Sequence, residues 1–147
     1  MSSIKVGLLV VAAGRGLRLG ADRPKQYLSC AGRPLIVHTL EALAAGFRFS
    51  AVTVVIRADD RALYSQAVEH LTASASAALR PPAIGGATRQ QSVLAGLEAL
   101  AAEEPDIVLI HDAARPFPSG ELVARAIEAA ERHGAAAPGT AISDTVK

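Results

Sequence analysis

The sequence predicts a three-layer α/β sandwich with a mostly parallel sheet. Three observations point to it. Apolar runs at 4–12, 51–57 and 106–112 are continuous, not alternating, as in strands covered on both faces. Stretches with helical spacing separate the runs, and Gly, Pro and capping residues mark the junctions. A chain of 147 residues is long enough for one such core. With three Phe, two Tyr and no Trp, that core is expected to be built from Ala, Val, Leu and Ile.

The first strand, 4–12, is ended by Gly14 and Gly16. Beyond the next loop, "PLIVHTLEALAAG" offers Pro34 at a helix start, Leu35, Ile36, Leu40 and Leu43 on one face, and Gly46 as a stop. The second strand is 51–57. A helix follows from Asp59, read as its capping acid, with Leu63, Ala67, Val68 and Leu71 at helical spacing. Residues 72–88 read as a small-residue loop containing strand-like material around Ala83 and Ile84, and a helix is expected over 90–102 with Val93, Leu94 and Leu97 in the core. The run 106–112 reads as another buried strand. "SGELVARAIEAAERHG" reads as a helix capped near Ser119 and closed at Gly134, and the last thirteen residues as a weak strand. No domain boundary or internal repeat is visible.

Net charge of +1 gives no general attraction to nucleic acid or acidic membranes, so anion binding has to come from placed residues. Cys30 is the only cysteine, which excludes an intramolecular disulfide and fits a reducing compartment. The apolar N-terminal stretch is too short to span a bilayer and lacks a charged leader. A cytoplasmic, soluble protein is expected.

Charge is concentrated in one place. Between residues 13 and 25, Arg15, Arg18, Arg23 and Lys25 face Asp22 alone. This loop leaves the first strand, at the edge of a parallel sheet where ligands bind. Glycines there let backbone N–H groups approach oxygens while cations neutralise them, which suits a polyphosphate. A solvated βα turn remains the plain alternative. The spacing fails the dinucleotide pattern, because Leu19 stands where the third glycine belongs, and no Walker triplet exists.

Two further segments could serve the same ligand. "GGATRQQSVLAGL" sets Gly85 and Gly86 before a helix start, with Arg89 and Ser92 in its first turn; taken alone, it reads better as a plain helix capped by Thr88 with Arg89 solvated. "HDAARPF" brings His111 and Asp112 out of a strand. Asp112 could hold Mg²⁺ against phosphate oxygens, or cap a turn and pair with Arg115. His111 reads as a hydrogen-bonded structural histidine, and Tyr27 and His38 as packed. One Cys and four scattered His supply no zinc spacing.

Taken in order, "AAGRGLRLGADRPKQYL", "GGATRQQSVLAGL", "HDAARPF" and the terminal "DTVK" resemble the 2-C-methyl-D-erythritol 4-phosphate cytidylyltransferases of the non-mevalonate isoprenoid pathway, over essentially the whole chain. The resemblance implies a Rossmann-like, GT-A-like nucleotidyltransferase fold. It also implies transfer of CMP from CTP to methylerythritol phosphate with Mg²⁺. Arg18 and Lys25 would stabilise the α-phosphate, and Asp112 would help to hold the metal. The backbone of Ala12, Ala13, Gly14, Arg15 and Gly16, with Gly86 and Ser92, would line the cytosine and ribose pocket, and Arg89 and Arg115 would support the nucleotide. Ala87 departs from members that carry an acidic residue there, leaving only backbone to meet the base.

Such enzymes continue past "DTVK" into a dimerisation arm and a C-terminal segment. Residues 1–147 are therefore expected to be the N-terminal nucleotide-binding portion of a longer chain. That chain would be a homodimer when complete, and in some bacteria it is fused to the cyclodiphosphate synthase of the same pathway. Two competing readings are a cytidylyltransferase for another polyol phosphate, such as ribitol 5-phosphate, and a non-catalytic nucleotide-binding module.

Overall fold

A computed structural model describes residues 4–14 and 23–141. Strand β1 (Val6–Val11) is the centre of a four-stranded parallel sheet. After a 3₁₀ turn at Lys25–Tyr27, a small antiparallel hairpin of β2 (Ser29–Cys30) and β3 (Arg33–Pro34) leads into helix α1 (Leu35–Gly46). Strand β4 (Ala51–Ile56), helix α2 (Arg61–Val68), helix α3 (Ala73–Ser76) and strand β5 (Ala83–Ile84) follow. Helix α4 (Arg89–Leu100), strand β6 (Ile107–Asp112) and helix α5 (Gly120–His133) complete the order. The strands lie in the order β5-β4-β1-β6. The chain thus runs outward from β1 to one side and returns to β6 on the other, which opens a crevice at the carboxyl edge.

Alternation along β1 fills two layers. Val6, Leu8 and Val10 join Val52, Val54 and Ile56 of β4 on the face covered by α1, α2 and α5. Leu9 joins Ala51 and Val55 on the face covered by α4. The α4 layer is wholly aliphatic, as the composition suggests, whereas the other layer adds Tyr27, Phe49 and Tyr64 to its aliphatic residues. Among the described residues no helix is long and apolar enough to cross a membrane.

Several elements differ from their sequence expectation. Helix α2 begins at Arg61, and neither acid before it caps it: Asp60 makes no side-chain cap bond, and Asp59 accepts from Arg57 at 3.1 Å. Helix α4 begins one residue early, at Arg89. Ser92, Gly96 and Leu100 are its buried positions, four residues apart, so Leu94 points away from the sheet and is 56% exposed. Leu35 lies at the margin of its helix, while Ile36, Val37, Thr39, Leu40 and Leu43 are buried. Strand β6 is half-buried because, among the described residues, it pairs only with β1; Ile110 is exposed. The β2–β3 hairpin carries no Asn-Gly signal: its turn is Ala31-Gly32, both at positive φ, as a tight two-residue hairpin turn demands. Residues 135–141 are exposed and form no strand, consistent with Pro138 lacking a donor. Residues 142–147 lie outside the described residues. Helix α5 matches its expectation, with Ser119 Oγ accepting from Leu122 N–H and Gly134 at φ 82° as the left-handed stop.

Helices α1 and α5 meet through two glycines. A Cβ on Gly46 would lie 2.8 Å from Gly120 Cα, and one on Gly120 3.1 Å from Gly46 Cα. Backbone on both sides leaves no side chain to yield. Gly46→Ala is expected to destabilise the fold by about 1–3 kcal/mol, the usual cost of overpacking, despite alanine's better helix propensity. Urea unfolding checks this; equal or greater stability would contradict the packing.

Candidate functional site

Register determines what meets at the carboxyl edge. Val11 is level with Val55 on one side and Asp112 on the other, and Ile56 is level with Ile84. Pairing continues one residue beyond the strands: Ala12 N–H donates to Val55 C=O at 2.8 Å, and Ala113 N–H to Val11 C=O at 3.0 Å. The segment leaving β1 is thereby held between the segments leaving β4 and β6. The result is an open cleft of about 800 Å³.

Nine expected site residues line this cleft: Ala12, Ala13, Gly14, Lys25, Gly86, Arg89, Ser92, Asp112 and Arg115. Arg15, Gly16 and Arg18 lie outside the described residues. Gly85, the other half of the glycine pair, and Asp59, read from the sequence as a helix cap, also line it, as do Gln26 and Arg57, which were not singled out from the sequence.

The glycine pair has a steric cause. A Cβ on Gly85 would lie 2.6 Å from Ser92 Oγ and 2.8 Å from Ala13 Cβ. Only a bare backbone lets the segment after β5 close against the segment after β1 and against α4. Gly85 N–H continues the ladder by donating to Ile56 C=O at 2.8 Å. Thr88 then caps α4 in a reciprocal capping box with Gln91, so the plain capping role is real. Ser92 is 2% exposed and its hydroxyl donates to Thr88 C=O at 3.0 Å.

Strand parity accounts for Asp112. It follows Val108 and Ile110 on the α4 side of β6, where the first residue of α4 can reach it. Arg89 donates to Asp112 Oδ1 at 2.8 Å, and Arg115 Nε to Oδ2 at 3.0 Å. The carboxylate that could hold a metal therefore faces two guanidinium groups, one of them the turn partner named as its alternative. Both pairs are substantially open to water, so each is weak and exchangeable. Each carboxylate oxygen has a second lone pair, so acceptor capacity remains. No group of three His, Cys, Asp or Glu converges among the described residues, so a divalent ion here would depend on a ligand's own oxygens. His111 Nε2 lies 2.8 Å from Arg115 C=O, the hydrogen-bonded role expected of it.

The cleft carries four cations, Lys25, Arg57, Arg89 and Arg115, against Asp59 and Asp112. Arg57 is paired with Asp59, and the other two arginines with Asp112. Lys25 is exposed and makes no ion pair among the described residues. Its position is set by the 3₁₀ turn, in which Tyr27 N–H donates to Pro24 C=O at 2.9 Å.

Tyr27 packs beside this turn with Asp60 and Tyr64. Tyr27 Oη, Asp60 Oδ2 and Tyr64 Oη are buried without a partner among the described residues. Burial, with Asp60 and Tyr64 nearby, raises the Tyr27 phenol well above its ordinary value. Burial alone pushes Tyr64 up to about 12. Burial also raises the Asp60 carboxyl, opposed by Arg57 and reinforced by Asp59. Between pH 10.0 and about 12 the unfolded chain loses the Tyr64 proton before the folded one does, so stability falls as pH rises through that window. Tyr64→Phe is expected to flatten this decline in urea unfolding measured across the window; an unchanged slope would contradict it.

Known proteins resemble this chain in sequence and in fold. A family model described as IspD, 2-C-methyl-D-erythritol 4-phosphate cytidylyltransferase, matches residues 6–147. The bifunctional enzyme IspD/IspF of Nitrobacter winogradskyi is 52% identical over 146 residues, covering 99% of this chain and 35% of that protein. The corresponding enzyme of Bradyrhizobium diazoefficiens is 51% identical over 145 residues, covering 99% and 35%. The chain thus spans about a third of the length of these curated relatives. Among solved structures, the 4-diphosphocytidyl-2C-methyl-D-erythritol synthase of Anaerococcus prevotii aligns with a TM-score of 0.63 at 30% identity, covering 86% of this chain and 50% of that one. The bifunctional IspDF of Campylobacter jejuni, at 24% identity and a TM-score of 0.67 over 87% of this chain and 31% of that one, shares the fold.

Proposed function

We infer the reaction from one premise: the chain belongs to the IspD family, the 2-C-methyl-D-erythritol 4-phosphate cytidylyltransferases. We assign residues 1–147 the nucleotide-binding portion of a domain that transfers CMP from CTP to 2-C-methyl-D-erythritol 4-phosphate. The observation that carries this reading is the cleft itself. A bare-backbone wall at Ala12–Gly14 and Gly85–Gly86, a Lys25 with no ion pair among the described residues and two exchangeable guanidinium groups converge on one edge of the sheet.

The transfer joins an oxygen of the acceptor phosphate to the α-phosphorus of CTP. The bond from that phosphorus to the bridging oxygen breaks, and its electron pair leaves on pyrophosphate. Negative charge spreads over the α-phosphoryl oxygens during this exchange, and placed cations supply most of the stabilisation. Lys25 meets that charge, because no carboxylate competes for it among the described residues. Arg18 is assigned the same task. Ala12, Ala13, Gly14, Arg15 and Gly16 present backbone to the nucleotide, with Gly86 and Ser92 at the cytosine and ribose. Arg89 and Arg115 exchange Asp112 for the nucleotide.

A divalent cation fits this set only as a mixed site. Asp112 would hold it together with triphosphate oxygens, and the ion, Mg²⁺ by the chemistry of its oxygen ligands, neutralises the triphosphate when bound. We place the complete protein in the cytoplasm as a homodimer acting on small molecules, with neither nucleic acid nor membrane as partner. Within residues 1–147, the lone Cys30 supports a reducing compartment and the net charge of +1 supports the absence of a nucleic-acid or membrane partner.

Phosphorus NMR of the full-length protein supplied with CTP, Mg²⁺ and either methylerythritol phosphate or ribitol 5-phosphate tests the assignment. The expected products are pyrophosphate and the cytidyl diphosphate of methylerythritol. Turnover of ribitol 5-phosphate alone would overturn the choice of acceptor, and no turnover of either would overturn the reaction.

A further inference from the structure

We propose that Gln26 is a positioning residue of the transfer, locking the exit of β1 and the turn that bears Lys25 into one register. The proposal rests on the reaction assigned above. Gln26 is 4% exposed, yet its side chain is polar and borders the cleft. Its Nε2 donates to Ala12 C=O at 2.5 Å and approaches Gly14 C=O at 3.4 Å. Both partners are acceptors, so only the amide nitrogen can face them, and the orientation of the carboxamide follows from chemistry. In a planar trans peptide the N–H points opposite to the C=O. By drawing in the Ala12 carbonyl, Gln26 therefore turns the Ala13 N–H away from itself.

The same residue is the middle of the Lys25–Tyr27 turn, which is closed by Tyr27 N–H on Pro24 C=O and Leu28 N–H on Lys25 C=O. One carboxamide thus ties the backbone that would meet the nucleotide to the cation that would meet its α-phosphate. No other side-chain hydrogen bond joins these two segments among the described residues. Methionine at this position keeps the length without a donor. Glutamate keeps the shape but, when ionised, presents only acceptors to two carbonyls.

The test is a double-mutant cycle in the full-length enzyme, with Gln26→Met, Lys25→Ala and the pair, read as kcat at saturating CTP and as KM for each substrate. If Gln26 acts by placing Lys25, Gln26→Met lowers kcat by about a hundredfold, the scale of a misplaced catalytic group. It then adds little further loss in the Lys25→Ala background, because the group it places is already gone. Losses that multiply instead would reduce Gln26 to a structural role and overturn the proposal, as would an undiminished kcat. Should Gln26→Met fail to fold, Gln26→Asn, which keeps the donor on a shorter stem, is put through the same cycle and judged by the same two outcomes. An inactive wild-type enzyme would remove the assigned reaction and this proposal together, whereas an active wild type with an unaffected Gln26 variant removes the proposal alone.

Discussion

Replacing Lys25 with alanine is expected to lower kcat for CMP transfer by about a hundredfold or more while the KM for CTP moves far less, the signature of a contact made chiefly in the transition state. The reason lies in which cations are committed. Arg57 is paired with Asp59, and Arg89 and Arg115 share Asp112. Lys25 stands at the cleft wall with no ion pair among the described residues, on a turn anchored by Gln26 beneath it. It can follow charge as it develops without first giving up a partner. Lys25→Arg is expected to restore only part of the rate, because a planar fork on a short, fixed turn does not place its charge where an ammonium does. Steady-state kinetics of the full-length enzyme check both. Equal rates for wild type and Lys25→Ala would remove the residue from the reaction.

Replacing Gly96 with valine is expected to cost about 3 kcal/mol, at the upper end for overpacked cores. A Cβ there would lie 2.2 Å from Leu9 Cδ1, 2.7 Å from Val55 Cγ2 and 3.0 Å from Leu9 Cδ2. Leu9 and Val55 are fully buried in the middle of the sheet and have nowhere to retreat. Helix α4 would be lifted from β1 and β4, taking with it Arg89 and the wall around Ser92. That loss is a large share of a typical domain's stability, so activity should fall with folding. Urea unfolding followed by circular dichroism measures it, and a midpoint equal to wild type would show that α4 does not seat on the sheet through this glycine.

These two residues mark where the sequence was legible and where it was not. The strands around Leu9 and Val54 announce themselves, because a strand covered on both faces is built almost wholly of apolar residues, whereas the equally apolar run around Leu109 is only half-buried. Ser119 and Gly134 likewise declare both ends of α5, since each does a job that few residues can do. The candidate site loops stood out because parallel sheets put ligands at their carboxyl edge and four cations gather in one such loop of the sequence. Gly96 gave no such signal: a glycine within a helical stretch says nothing of the leucine above it. Leu94 misled because apolar character alone does not say which side of a helix faces the sheet. Asp112 was visible as a candidate, but its bond to Arg89, 23 positions away, depends on strand parity and on where α4 starts. Gln26 was silent, because its partners are carbonyl groups that every residue carries.

The most direct measurement is a crystal structure of the full-length enzyme with CTP and Mg²⁺. The expected result is a triphosphate lying along Ala12–Gly14 with Lys25 Nζ hydrogen-bonded to an α-phosphate oxygen. Cytosine should sit against Gly85–Gly86, and at least one guanidinium should have moved from Asp112 to the nucleotide. A triphosphate bound away from the carboxyl edge of β1, or seated there with Lys25 directed into solvent, would contradict the account.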